Sequence, residues 1–96
     1  MRLDQYLAVV GLFKHRSAAK RAFDRGEIAL DGRPAKPADK VARNQRLAVR
    51  LGWRLVEAEV LEVPTGPVPK NDRGKFIAIV AEHLIGEEET SETHKE

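Results

Sequence analysis

Lys14-His15-Arg16-Ser17-Ala18-Ala19-Lys20-Arg21-Ala22-Phe23-Asp24-Arg25-Gly26 is the stretch on which the fold turns. Ala19, Ala22 and Phe23 recur at helical spacing and form a narrow apolar stripe. Arg16, Lys20, Arg21 and Arg25 fall on the remaining arc of a helical wheel, with Asp24 the one acid among them. Gly26 follows the last turn and can take the left-handed conformation that stops a helix. By residue type Ser17 is the better N-cap, with His15 the competing start. A helix with one face for a core and the other strongly positive suits an anionic partner. The residues alone equally allow a solvated basic face.

Working outward, Arg2-Leu3-Asp4 opens an earlier helix in which Leu3, Tyr6, Leu7 and Val10 keep the i, i+3, i+4, i+7 pattern of a buried face. Asp4 is suited to the helix start, where a carboxylate meets exposed amides and the positive end of the dipole. Gly11 ends this helix, and Leu12 and Phe13 read as core residues in the connection. After Gly26 the period changes to that of strands. Glu27–Leu30 is a short strand, Asp31-Gly32 a two-residue hairpin turn, and Arg33-Pro34-Ala35 a short return arm at a sheet edge. Lys36–Lys40 is a loop with two more cations. Arg46–Leu51 alternates, Gly52-Trp53 turns, and Arg54–Val63 alternates again with Val56, Ala58 and Val60 on one face. At that turn Trp53 is expected to be partly buried rather than a stacking platform. Residues 64–75 are loop by composition, and the β-branched residues of 76–86 favour a third strand. Residues 87–96 are acidic and polar and are expected to be disordered.

The chain has 96 residues, enough for one small domain. It has no cysteine, so disulfides and thiolate metal sites are excluded. No apolar run is long enough to span a membrane, no cleavable leader is evident, and the cytoplasm is the expected compartment. Net charge is +2, but residues 1–50 hold 12 Lys/Arg against 5 Asp/Glu, whereas residues 51–96 hold 5 against 10. A basic front half is the footprint of a polyanion-binding surface. No phosphate-binding glycine loop, nucleophile elbow or metal-ligand spacing is present, and Glu57 and Glu59 lie on a strand face that reads as solvated. Catalysis, a metal and a cofactor are therefore not expected.

Taken jointly, Arg2-Leu3-Asp4-x-x-Leu7, Lys14-x-Arg16-Ser17-x-Ala19-Lys20 and Gly26-x-Ile28-x-Leu30-Asp31-Gly32-x-x-x-Lys36-Pro37 resemble the S-four RNA-binding domain family over about residues 1–51. The resemblance implies an α+β fold, the α-L motif, with two N-terminal helices packed on a small antiparallel sheet. It divides the chain into an RNA-binding domain with its C-terminal hairpin at 1–63, a loop at 64–75, a short apolar segment at 76–86 and a tail at 87–96. Family members joined to enzymes need a catalytic module for which no residues remain here.

Free-standing members form two groups. One recycles large ribosomal subunits that still carry a nascent chain after heat shock. The other acts in ribosome-associated quality control, stabilising peptidyl-tRNA on a split large subunit while the tail-adding factor RqcH directs C-terminal alanine addition. The chain is more similar to the second in its length, its Met1-Arg2-Leu3-Asp4 start and its lack of a long basic tail. His15 departs from the family, where a small hydroxyl residue is frequent. By this resemblance Arg2, Arg16 and Lys20 are RNA-facing, as are Lys14 and Lys36. Arg21, Arg25 and Lys40 join them from charge and wheel position. The implied partners are large-subunit rRNA, peptidyl-tRNA and RqcH, with the chain acting as a monomer. An adaptor docking on an acidic protein, or an accessory subunit of an RNA-modifying enzyme, stays open.

Overall fold

A computed structural model of the chain describes residues 1–84, so the tail at 87–96 and the last two residues of the 76–86 segment lie outside the described residues. Helix α1, Leu3–Val9, and helix α2, Arg16–Asp24, pack on one face of a five-stranded antiparallel sheet. The strands are β1 (Ile28–Leu30), β2 (Arg33–Pro34), β3 (Arg46–Leu51), β4 (Arg54–Val60) and β5 (Ile77–Leu84), in the order β2-β1-β3-β4-β5. This is the α+β arrangement that the apolar spacings and the turn residues call for.

The first helix forms where the pattern places it, with Leu3, Tyr6, Leu7 and Val10 all buried. It closes on Gly11, at φ +85, where the Gly11 amide donates to the Ala8 carbonyl and the Leu12 amide to the Leu7 carbonyl, both at 3.1 Å. That pair of bonds needs a left-handed residue between them. Helix α2 starts two residues earlier than its best capping side chain suggests. His15 is extended (φ −138, ψ 157), and its carbonyl takes the Ala18 and Ala19 amides at 3.2 and 3.3 Å. Ser17 is therefore already inside the helix, and no side chain caps it. At the other end the Gly26 amide reaches Phe23 O at 3.0 Å and the Glu27 amide reaches Ala22 O at 2.9 Å, so the helix stops as expected.

Ala19, Ala22 and Phe23 lie against Ile28 and Leu30 of β1 and Leu47 and Val49 of β3, in one core with the buried face of α1. Strand β4 adds Ala58 and Val60, and β5 adds Ile77. Pro34, which has no amide to donate, sits on the edge strand β2. Strand β5 pairs with β4 from Val60↔Ile77 to Arg54↔Leu84, with an irregularity between Glu57 and Ala58. The region read from composition as loop contains a 3₁₀ helix, Lys70–Lys75.

The strand read as Arg54–Val63 ends at Val60, and one expectation about burial fails. Trp53 is 63% exposed. It occupies a two-residue turn between Leu51 and Arg54 and is not among the residues packed against the core.

Two tertiary stitches fix the helices. The Leu3 amide donates to Asp39 O at 2.8 Å and the Asp4 amide to Pro37 O at 3.1 Å, while the Val41 amide returns a bond to Met1 O at 3.1 Å. The loop after β2 thus satisfies the first amides of α1, a role that a capping side chain otherwise fills. The second stitch is the Tyr6 hydroxyl, which donates to Phe76 O at 2.7 Å across 70 residues of chain.

Candidate nucleic-acid interface

Backbone capping of α1 leaves the Asp4 side chain free for another task. Asp4 stands in the first turn of α1 and is 8% exposed, the one buried charged residue among those described. Its carboxylate accepts two bonds from Arg2, from Nε at 3.2 Å and from a terminal nitrogen at 3.3 Å. A third comes from the Arg16 guanidinium at 3.1 Å. Sequence reasoning gave Asp4 a helix-end role. The structure makes it the anchor of two arginines that lie 14 residues apart in sequence but share one acid.

Electrostatics explains why the pair is stable. Burial pushes the Asp4 carboxyl up, but the hydrogen bonds and positive charges of Arg16 and Arg2 outweigh it and hold the group below its ordinary value of 3.8. At neutral pH it is a carboxylate. Two guanidiniums against one carboxylate leave a net positive charge at the surface, and the two side chains remain 51% and 56% exposed. A fixed, outward-facing pair of forked donors is the geometry suited to phosphate oxygens.

The cations that the sequence nominates do not form one cluster. Lys40 pairs with Arg2 in an isolated bridge, so it is brought beside the arginine pair. Lys36 caps the same loop, where its amide donates to the Asp39 carboxylate at 2.9 Å. Lys36 and Lys40 line an open hollow of about 550 Å³ together with Arg33, a cation that sequence reasoning passed over because it was read only as part of a return arm. Lys14 precedes Arg16 by two residues in the exposed α1–α2 connection, and Lys20 follows it by one turn. Arg21 is exposed farther around the helix. Arg25 is at the opposite end of α2, in a shallow cleft with Arg50 and Leu55 on the other face of the sheet. It is separated from the arginine pair by roughly 13 Å of helix, taking 1.5 Å per residue.

Among the described residues no group of three His, Cys, Asp or Glu side chains is placed to hold a metal ion, and no helix is long and apolar enough to cross a membrane.

Two short helices, a sheet beginning with a tight hairpin, and arginines from both helix starts meeting on one acid define a small module of the α-L type. Residues 1–47 match the family model of the S4 domain. A Bacillus subtilis protein named RQC P-site tRNA stabilizing factor (RqcP) is 36% identical over 87 residues, which are 91% of this chain and 100% of that protein. Among solved structures, that of heat shock protein 15 of Vibrio cholerae, described as trimeric, superposes with a TM-score of 0.78 at 20% identity, covering 99% of this chain and 96% of that one. The solution structure of the hypothetical protein HP1423 gives 0.74 at 29% identity, over 84% of this chain and 98% of that one. The chain belongs to the S4-domain family of RQC P-site tRNA stabilizing factors.

Proposed function

We propose that this chain is an RNA-binding factor of the large ribosomal subunit that acts in ribosome-associated quality control. It stabilises peptidyl-tRNA on stalled, split subunits while C-terminal residues are added to the nascent chain. The work is binding, not catalysis, and it takes place in the cytoplasm with one copy per subunit. Arg2 and Arg16 meet phosphates directly, Lys14, Lys20, Lys36 and Lys40 flank them, Arg21 extends the contact along α2, and Arg25, set apart on the other face of the sheet, contributes only to the overall positive field. The partners are rRNA and peptidyl-tRNA, and the tailing factor RqcH acts on the same particle. The observation that carries this reading is the Asp4-anchored arginine pair, in a chain that matches a relative of that name along its full length. Phosphate contacts of this kind position a protein on RNA without reading sequence.

The test is a pull-down of the tagged full chain with RNA sequencing, run with wild type and Arg16→Ala. Recovery of large subunits carrying peptidyl-tRNA by the wild type, lost in the variant, supports the reading. Arg16→Ala is expected to weaken subunit binding by about 1–3 kcal/mol. Recovery of a single protein without RNA overturns the proposal in favour of an adaptor.

A further inference from the structure

Residues 70–75 lie beyond the segment that matches the S4 domain model, yet the fold brings them against its helix pair. The 3₁₀ helix Lys70–Lys75 carries Lys70, Arg73 and Lys75, with Asp72 its one acid. Lys75 is engaged by Asp72 at 3.5 Å. Arg73 has no such partner. Its guanidinium rests on the backbone of Gly11, so close that a Cβ there would lie 2.5 Å from a terminal nitrogen and 2.9 Å from Nε. Nε is buried without an acceptor, and among the described residues no ion pair or hydrogen bond reaches the rest of the group. Arginine cannot shed its proton to relieve this. A partly buried cation without a counter-charge is unfavourable unless an anion completes it. The carbonyl end of α1 offsets only part of the cost, because a helix end is worth a fraction of a charge.

The position gives that anion an identity. Gly11 begins the α1–α2 connection, which carries Lys14 three residues on and reaches Arg16 two residues after that. The connection that starts on Arg73 thus runs through the exposed Lys14 to the exposed Arg16. The one acid of the 3₁₀ helix is already neutralised by Lys75.

We propose that Arg73, seated on Gly11, with Lys70 of the same 3₁₀ helix and Lys14 of the connection that Gly11 begins, is a second phosphate-binding seat that extends the arginine-pair surface along the backbone of a bound RNA. The proposal rests on the RNA-binding reading above and adds contacts from a part of the chain outside the S4 match. A forked guanidinium whose stem is fixed by packing gives up little freedom on binding, which favours a phosphate over a mobile acidic side chain.

The experiment uses the full chain and purified large ribosomal subunits as the probe, with affinity measured over a series of salt concentrations. The proteins are wild type, Arg73→Gln, Lys70→Gln, Arg16→Ala and, as control, Arg54→Gln, whose guanidinium pairs with Glu82 at 3.5 Å on the far hairpin. Arg73→Gln is expected to bind roughly tenfold more weakly, and its log–log salt slope should shrink by about 1. Lys70 projects from the exposed turn, so Lys70→Gln should lower the slope by a similar amount of about 1 with its melting temperature unchanged. The control should match wild type. Unchanged slopes in both 3₁₀-helix variants, while Arg16→Ala is impaired, overturn the second seat and leave the proposed function standing. Failure of the wild type to bind subunits overturns the function and the seat together.

Discussion

Replacing Asp4 with Asn separates two views of the buried acid. The change keeps the size of the side chain and removes its charge. It takes from Arg2 and Arg16 the carboxylate that holds them at 3.1–3.3 Å. Hydrogen bonds to a charged group contribute about 1.5–3 kcal/mol when shielded from water. Both guanidiniums are more than half exposed, which reduces each link to about 0.5–1 kcal/mol. The stability loss is then about 1–2 kcal/mol, a fall in Tm of roughly 5–15 °C for a domain of this size. RNA affinity is the more informative readout. By charge alone the variant should bind better, since a negative charge just beneath the arginine pair is gone, a gain of at most about 1 kcal/mol in high dielectric. By geometry it should bind worse, because two arginines must be ordered on binding at about 0.5–1.5 kcal/mol each. The structure argues that geometry prevails and that Asp4→Asn binds large subunits a few-fold more weakly. Filter binding at several salt concentrations, with melting curves alongside, decides it. Tighter binding by a variant of normal stability would refute the idea that Asp4 positions the arginines.

The same acid sets a pH dependence: its folded pKa is depressed, so its stabilisation is whole above the ordinary value of 3.8 and is lost as pH falls through the lower folded value. The melting temperatures of wild type and Asp4→Asn should converge on acidification, and curves that stay parallel would contradict this. Phe23→Ala removes the one large side chain on the buried stripe of α2 and should cost about 3–5 kcal/mol in denaturant unfolding, enough to unfold much of a small domain. Tyr6→Phe deletes the donor to Phe76 O and should cost about 1 kcal/mol with RNA binding unaltered. Trp53 is the single tryptophan, so the intrinsic emission of the free chain should resemble that of free tryptophan and be readily quenched by acrylamide; a blue-shifted, protected signal would show that the turn is covered.

The two helices and the first two hairpins were legible because each rests on local signals. Leu3, Tyr6, Leu7 and Val10 keep a helical period, glycine stands after each helix, and Leu47, Val49, Val56 and Ala58 alternate. What sequence could not supply is set by partners distant in the chain. Ser17 has the better capping side chain, but the backbone of His15 decided the helix start. The residues Ala81-Glu82-His83-Leu84 carry little strand preference of their own, and β5 reaches Leu84 because β4 offers it a paired edge as far as Arg54. Trp53 was expected to be partly buried because tryptophan usually finds cover, yet its turn runs past the helices. At the interface the cations were legible as a list, but not their grouping. Arg16 meets Arg2 only through Asp4, Arg25 is turned to the other face of the sheet, and Arg33 joins Lys36 and Lys40 because the loop after β2 folds back on the start of α1, a contact between distant segments.

The Tyr6–Phe76 bond has a bearing on how the chain is made. Tyr6 is fully buried beneath the helix pair, and burial raises its pKa and penalises any state in which its hydroxyl lacks a partner. That partner is a carbonyl 70 positions later, one that also receives the Leu61 amide at 2.8 Å. While the chain is emerging from a ribosome, α1 and α2 are out long before Phe76, and the Tyr6 hydroxyl lacks its partner until Phe76 has been translated and has cleared the exit. Long-range closure of this kind is slow relative to helix formation. An unfinished copy cut short before Phe76 therefore lacks this one bond between α1 and the end of the 3₁₀ helix, although the residues of the arginine pair are already present.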